Sequence, residues 1–536
     1  MKKRLLALVL SAAMVLGLVA CGGSGDAEKS TGAAAPSGSN TVVLACGSGF
    51  DTMDPGQVYE KYPQMVLNAT YETLFKFYSN DGAAEPLLAD TYELSEDGLT
   101  LTVTLKDGLK FASGNDMTSA DVAFSIMRAK NLKGNPSFIC DTIESIDTPD
   151  DKTVVFHLTE RDSAIVSKLA YSACSVLDSA VVKEQGATDA EDASTADAAQ
   201  SYLDTTSAGS GMYVMTSYTP DSEIVLEKNP NYWGEATNVD KYIIKIQDDA
   251  NTQMMTLSKG DIDIALNMTA DTMDELKDDS NVVLLNSPTK TVSFIMMNMD
   301  EAIGGPVSNP KVQQAIRKAV DYAGIQTICG EGTVTPYSII QDGFFGSLGQ
   351  RDASYRNVEE AKTLLAEAGY PDGFDVDLTV CDLAMEGIAL TDLAQSVKAN
   401  LAEIGINVNI VSNPWAAGYG DDYRDGKLGF TVMYWGTDYS DPNVQLEFLA
   451  GGIVGLRAGW TAEMDPENAA LYKKATSAAT DDERIEALKE VQEATYENGP
   501  FIMIAQAPCP LAYSARLDNV MFFDAYTVDL TQVTIK

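Results

Sequence analysis

Leu99, Leu101, Val103 and Leu105 alternate with Thr100, Thr102 and Thr104, a period of two that predicts a half-buried strand. The turn pairs Asp97-Gly98 and Asp107-Gly108 bound it. Thr118 and Asp121 then read as a capping box, opening a helix with Val122, Ala123, Ile126 and Met127 on one face. A second strand, 153–158, follows the turn Pro149-Asp150-Asp151. Its His157 points opposite Phe156 and Leu158, as a structural or surface histidine would. Residues 187–199 are acidic, Ala-rich and weakly periodic, which reads as a solvated loop or surface helix.

The later half alternates more cleanly between helix and strand. Asn309-Pro310 caps a helix carrying Val312, Ala315, Ile316, Ala319 and Val320 at helical spacing. Asn357 and Glu360 form another capping box, and Gly369 with Pro371 ends that helix. Phe374, Val376, Leu378 and Val380 mark a strand. Leu390, Leu393, Ala394, Val397, Leu401 and Ile404 mark a helix that Gly405 stops, and Ile406, Val408 and Ile410 begin the next strand. This succession predicts a parallel sheet covered by helices. Residues 428–435 form a nearly unbroken apolar run, suited to a strand buried on both faces. The loop after it, 434–442, stands where ligands of open parallel sheets bind, beyond a strand's carboxyl end. Its three aromatics, glycine and two carboxylates suit a ligand cradle, and its Ser-Asp and Asp-Pro pairs equally suit an ordinary turn.

At the N-terminus, Met1-Lys2-Lys3-Arg4 is a basic n-region, and the apolar stretch 5–16 is shorter than the roughly 20 residues of a spanning helix. A signal peptide is therefore expected over 1–20. Leu18-Val19-Ala20-Cys21-Gly22 resembles a bacterial lipobox, which makes Cys21 the expected lipidation site and the Gly-, Ser- and Ala-rich stretch 21–40 a flexible linker. The remaining cysteines, Cys46, Cys140, Cys174, Cys329, Cys381 and Cys509, have no metal-type spacing. An exported setting permits disulfides, buried free thiols are the simpler reading, and no pairing is assigned.

Charge and histidine content then remove whole classes of function. The 536 residues suit three or four domains at about 150 residues each. With 37 Lys and Arg against 78 Asp and Glu, the net charge of −41 excludes nucleic-acid binding. A single histidine excludes metal sites built on several, and most Ser-His-Asp or Cys-His chemistry. There is no G-x-S-x-G elbow, Walker loop or dinucleotide fingerprint. Ser308-Asn309-Pro310-Lys311 fits a bare S-x-x-K pattern, but Ser308 precedes the cap and no Lys-Thr-Gly partner exists. No catalytic residue, cofactor or resident metal is expected.

An ordered set of short stretches carries a family resemblance. It runs through Asp54-Pro55, Tyr71-Glu72-Thr73-Leu74, Leu88-Ala89-Asp90, Ser95-Glu96-Asp97-Gly98 and Leu105-Lys106-Asp107-Gly108. It continues with Thr118-Ser119-Ala120-Asp121, Gly209-Ser210-Gly211-Met212-Tyr213, Asn229-Pro230-Asn231-Tyr232-Trp233-Gly234 and Gly260-Asp261-Ile262-Asp263. Asn309-Pro310-Lys311-Val312 and Gly499-Pro500-Phe501-Ile502 close it. Together these resemble family 5 of the extracellular solute-binding proteins, the peptide and nickel class of ABC importers, over nearly the whole mature length. Two departures are Ala112-Ser113-Gly114 in place of the family's His-Asp-Gly and Gln313-Gln314 in place of Arg-Gln.

The resemblance implies an α/β, two-lobed, hinged periplasmic-binding-protein-like fold with an additional β-rich α/β domain on the first lobe. The first lobe would combine 41–62, 206–295 and 500–536, the extra domain 63–205 and the second lobe 296–499. It implies a monomer in the cell envelope, tethered through its lipid outside the cytoplasmic membrane or in the periplasm, that closes on solute and delivers it to an ABC permease and its ATPase. For a peptide cargo, Asp438 falls where the family's aspartate pairs with the α-ammonium. Glu60 and Tyr62 come from a segment like the family's Glu-containing stretch, with spacing different by one residue. Trp415, Trp435 and Tyr439 would wall the cleft. An oligosaccharide, another small solute or a nickel chelate is the alternative cargo on the same scaffold. A lipid-anchored extracellular enzyme, or an adhesion or chaperone protein, is the alternative of another class.

Overall fold

Three sheets organise the computed structural model, which describes residues 40–80 and 83–536; Cys21 and the signal segment lie outside the described residues. The alternation at 99–105 forms the strand Thr100–Leu105, with Leu101, Val103 and Leu105 buried. Gly98 and Gly108 turn at either end with positive φ of 71° and 74°. This strand pairs with Ala89–Leu94 and Thr153–Leu158, and Ile143–Asp147 completes a four-stranded antiparallel sheet. His157 lies on the surface of that sheet, its Nε2 2.9 Å from Asp147 Oδ2 on the neighbouring strand.

The helix Ser119–Leu132 packs on this sheet. Its start is fixed by the Asp121 carboxylate, which accepts from the Thr118 N–H at 2.8 Å. The single apolar face read from the sequence is incomplete, because the helix is covered on two sides. Val122 and Ile126 join one core, Phe124 joins another with Leu177, Val182 and Leu203, and Ala123 and Met127 are only half-buried. The acidic stretch 187–199 also differs from its reading as solvated. It carries a short helix, Ala193–Ala196, and then Asp197, whose buried carboxylate meets the Arg128 guanidinium at 2.8 Å. Arg128 is also bidentate to Asp54 at 2.8 and 2.7 Å, so one buried cation ties three segments together.

A seven-stranded sheet has the order Val282–Ser287, Cys509–Ser514, Ile264–Ala265, Thr41–Cys46, Lys241–Ile246, Glu223–Lys228, Tyr213–Thr219. A second sheet has five strands, in the order Ile406–Ser412, Phe374–Val380, Phe430–Trp435, Val292–Met297, Phe501–Ala505. Here the expected β-α-β unit forms: Phe374–Val380 and Ile406–Ser412 are parallel, joined through the helix Leu390–Ala402. The sheet as a whole is mixed rather than parallel. Val292–Met297 runs antiparallel to Phe430–Trp435, and Phe501–Ala505 antiparallel to Val292–Met297. These strands, Val292–Met297 and Phe501–Ala505, join the same sheet as Phe430–Trp435. The chain therefore crosses between the two sheets at 288–291 and 506–508, where the Thr289 hydroxyl donates to the Ala507 carbonyl at 2.8 Å.

The stretches that carry the family resemblance hold the scaffold together. Ser210 Oγ and Trp233 Nε1 both donate to the buried Glu72 Oε2 at 2.7 Å. A Cβ on Gly211 would come within 2.5 Å of the Thr70 carbonyl carbon, so that contact requires glycine. Asp263 accepts from Arg516 at 2.6 Å and from the Val43 N–H at 2.8 Å.

Candidate ligand-binding cleft

Phe430, Thr431, Val432 and Met433 are buried, and their strand then runs out through Trp435 into the loop 436–441. The polar side chains of that loop are engaged in turn. Thr437 donates to the Lys290 carbonyl at 3.2 Å, and Ser440 Oγ takes a hydrogen bond from Lys290 Nζ at 3.2 Å, which fastens the loop to the crossing segment. Asp441 accepts from the Asn443 N–H at 2.9 Å, capping the Pro442–Phe448 turn, and pairs with Arg484. Asp438 is the exception: it is 8% exposed, and its Oδ2 has no partner among the described residues.

Burial pushes the Asp438 pKa up to about 7, because a carboxylate charge is poorly solvated there. The Tyr59 hydroxyl and the Arg457 guanidinium face the group and pull the other way, while the Glu447 carboxylate adds to the rise. Tyr59 reaches Asp438 from just before the helix Lys61–Thr70. Phe138 meets the Tyr59 ring edge-on at 6.4 Å, and Gln64 donates to the Tyr59 carbonyl at 3.4 Å and to the Tyr171 hydroxyl at 3.2 Å. An aspartate in the loop after Phe430–Trp435 thus faces a tyrosine that precedes the helix Lys61–Thr70.

The other residues singled out from the sequence are distributed around this point. Trp435 is half-buried with its Nε1 unpartnered, its ring edge-on to Phe448 and the Arg457 guanidinium 5.4 Å from its centre. Tyr439 is 4% exposed and part of the hydrophobic core, with Asp441, Asp162 and Tyr472 around it. Trp415 lies against Tyr419, and Tyr419 stacks on Tyr423, so a chain of rings ends beside Arg457. Glu60 is half-buried and accepts from the Tyr59 N–H at 3.2 Å. Tyr62 stacks on Phe50 in the first lobe, its hydroxyl 3.4 Å from Asn267. Between them, Lys61 Nζ pairs with Glu386 at 3.0 Å, at the tip of the hairpin Ala384–Met385 and Ile388–Ala389.

Sequence reasoning placed Tyr59 in the segment Tyr59-Glu60-Lys61-Tyr62 without naming it as a site residue, and missed Tyr423 and Arg457. Arg457 carried a signal of its own, as the only Lys or Arg between Lys427 and Lys473. Among the described residues no group of three or more His, Cys, Asp or Glu is placed to hold a metal ion. No helix among them is long and apolar enough to cross a membrane.

Residues 83–453 match the family model described as bacterial extracellular solute-binding proteins, family 5 Middle. The chain is 29% identical over 559 residues to Heme-binding protein A of Haemophilus influenzae, covering 98% of each. It is 26% identical over 498 residues to the probable D,D-dipeptide-binding periplasmic protein DdpA of Escherichia coli, covering 90% of this chain and 91% of that one. The periplasmic binding protein DppA from Helicobacter pylori, solved in complex with peptide STSA, has the same fold, with a TM-score of 0.75 at 21% identity. That match covers 92% of this chain and 98% of that one.

Proposed function

This chain belongs to family 5 of the bacterial extracellular solute-binding proteins, the binding components of ABC importers, and from that footing we propose that its cargo is a peptide bound by its free amine. In this reading Asp438 takes the ammonium, the lobes close over it about the crossings at 288–291 and 506–508, and a membrane permease with its ATPase receives the loaded form. Lipid on Cys21 would hold the protein at the outer face of the membrane.

The observation that carries the reading is the unpartnered oxygen of Asp438. Burial outweighs the pull of Tyr59 and Arg457 on this carboxylate and leaves one oxygen unpartnered, and an ammonium supplies both charge and hydrogen bonds. Neutral sugar hydroxyls supply no charge to this carboxylate. The relative named for heme shares the scaffold, but heme presents no ammonium to this carboxylate.

Calorimetry with a free-amine peptide and its N-acetylated form tests the proposal. The free form is expected to bind far more tightly, and equal affinity would refute it. Affinity should also follow pH. Below about 7 the ammonium must displace a proton from Asp438, so affinity is expected to fall about tenfold per pH unit, with proton release, and to level off above about 7. Affinity that stays flat between about pH 5 and 8 would show that Asp438 is not the partner.

A further inference from the structure

Cys140 and Cys174 are two thiols that the fold brings into contact. Cys140 ends the 3-10 helix Asn135–Cys140 and Cys174 ends the 3-10 helix Ser172–Cys174; each packs on the helix Ser119–Leu132 and against the other. Both side chains are buried in one hydrophobic core, 0% and 1% exposed, and the Cys174 sulfur lies within hydrogen-bond reach of the Cys140 sulfur. The surroundings of other cysteines differ: Cys46 faces Asp248, and Cys509 faces Glu386 and Lys61.

The two short helices also back the binding cleft. Phe138, two residues before Cys140, is the ring that meets Tyr59 edge-on. Tyr171 accepts from the Cys174 N–H through its carbonyl at 2.9 Å, and its hydroxyl takes the hydrogen bond from Gln64, which also holds the Tyr59 carbonyl. Tyr171 is close enough to Asp438 to feel its charge. Whatever joins Cys140 to Cys174 therefore fixes both supports of Tyr59.

We propose that Cys140 and Cys174 form a disulfide when the chain is exported, and that this bond braces the wall behind Tyr59. The family is extracellular, a setting in which disulfides persist. The oxidant is an exported dithiol oxidoreductase in its disulfide form. The thiolate of one cysteine attacks that disulfide, giving a mixed disulfide and freeing one thiol on the oxidant. The thiolate of the second cysteine then attacks the chain's own sulfur in the mixed disulfide, and the oxidant leaves as a dithiol. The chain gives up two protons and two electrons, and the oxidant takes both. Exchange belongs to folding, before this core closes. Contact with Cys140, and burial with it, hold the folded Cys174 thiol well above its ordinary range, so it stays protonated and slow to react. The bond closes a loop holding the strands Ile143–Asp147 and Thr153–Leu158 and the helix Ile165–Lys168, which restricts the unfolded chain. The pairing does not depend on what the cleft binds.

The test exports the full chain into an oxidising envelope, unfolds it in alkylating reagent without reductant, and maps its peptides by mass spectrometry. The expected result is a linked pair of peptides bearing Cys140 and Cys174, with Cys46, Cys329, Cys381 and Cys509 alkylated. Cys140 and Cys174 recovered as alkylated thiols, or either linked to another cysteine, would overturn the pairing. The brace is read by amide hydrogen exchange. Once mass shows the bond reduced, exchange in 57–64 should quicken roughly 3- to 10-fold in the wild type and stay unchanged on the same treatment of the Cys140→Ala/Cys174→Ala protein. The comparison is made within each protein, so any destabilisation by the substitutions does not enter it. A linked pair whose reduction leaves exchange in 57–64 unmoved would overturn the brace and leave the disulfide standing.

Discussion

Asp438→Asn is expected to weaken binding of a free-amine peptide by roughly 2–5 kcal/mol, about 30-fold to several thousand-fold, while making the empty protein more stable above about pH 7. Both effects follow from burial. The native protein holds a proton on Asp438 up to about pH 7, whereas an unfolded aspartate releases it near 3.8. The folded state therefore binds more protons between those values, and the empty protein loses stability as pH rises across that window. Asparagine keeps the shape and removes the titration, so the loss disappears. A residue that merely closes a turn predicts the reverse, a lower melting temperature and unchanged affinity. Calorimetric titration and thermal melts of both proteins, at about pH 5 and 8, separate the two accounts.

Arg128→Met should cost the largest share of stability, roughly 3–5 kcal/mol, because it strands two carboxylates in the interior. Arg128 is 1% exposed and makes two hydrogen bonds each to Asp54 and Asp197, so nothing nearby replaces it. Asp54 leads into the segment bearing Tyr59, so the loss should also loosen the cleft. Adding Asp54→Asn and Asp197→Asn removes the stranded charges and should recover much of the stability. An Arg128→Met protein that melts with wild type would show that the triad contributes nothing.

What the sequence revealed follows the range of the forces involved. The β-α-β run from Phe374 to Ser412 was legible because its period, caps and stop at Gly405 are local. The mixed character of that sheet was not, since Val292–Met297 finds its partners at Phe430–Trp435 and Phe501–Ala505, far along the chain. Asp197 looked solvated because its surroundings in sequence are polar, and only the fold brings Arg128 to it. Asp438 was marked by its place beyond a buried strand and by family resemblance, whereas Tyr59 and Arg457 gain meaning only where the chain brings them to it. Glu72, Ser210, Trp233 and Asp263, which carry much of the resemblance, bind the scaffold together. That is why the fold could be read more fully than the cargo.

Native mass spectrometry of the protein, purified without an unfolding step, tests the central claim most directly. The account predicts one small molecule per chain, whose fragmentation shows a free amine and which is absent from the Asp438→Asn protein. A captured molecule without a basic nitrogen, held equally well by both proteins, would contradict it.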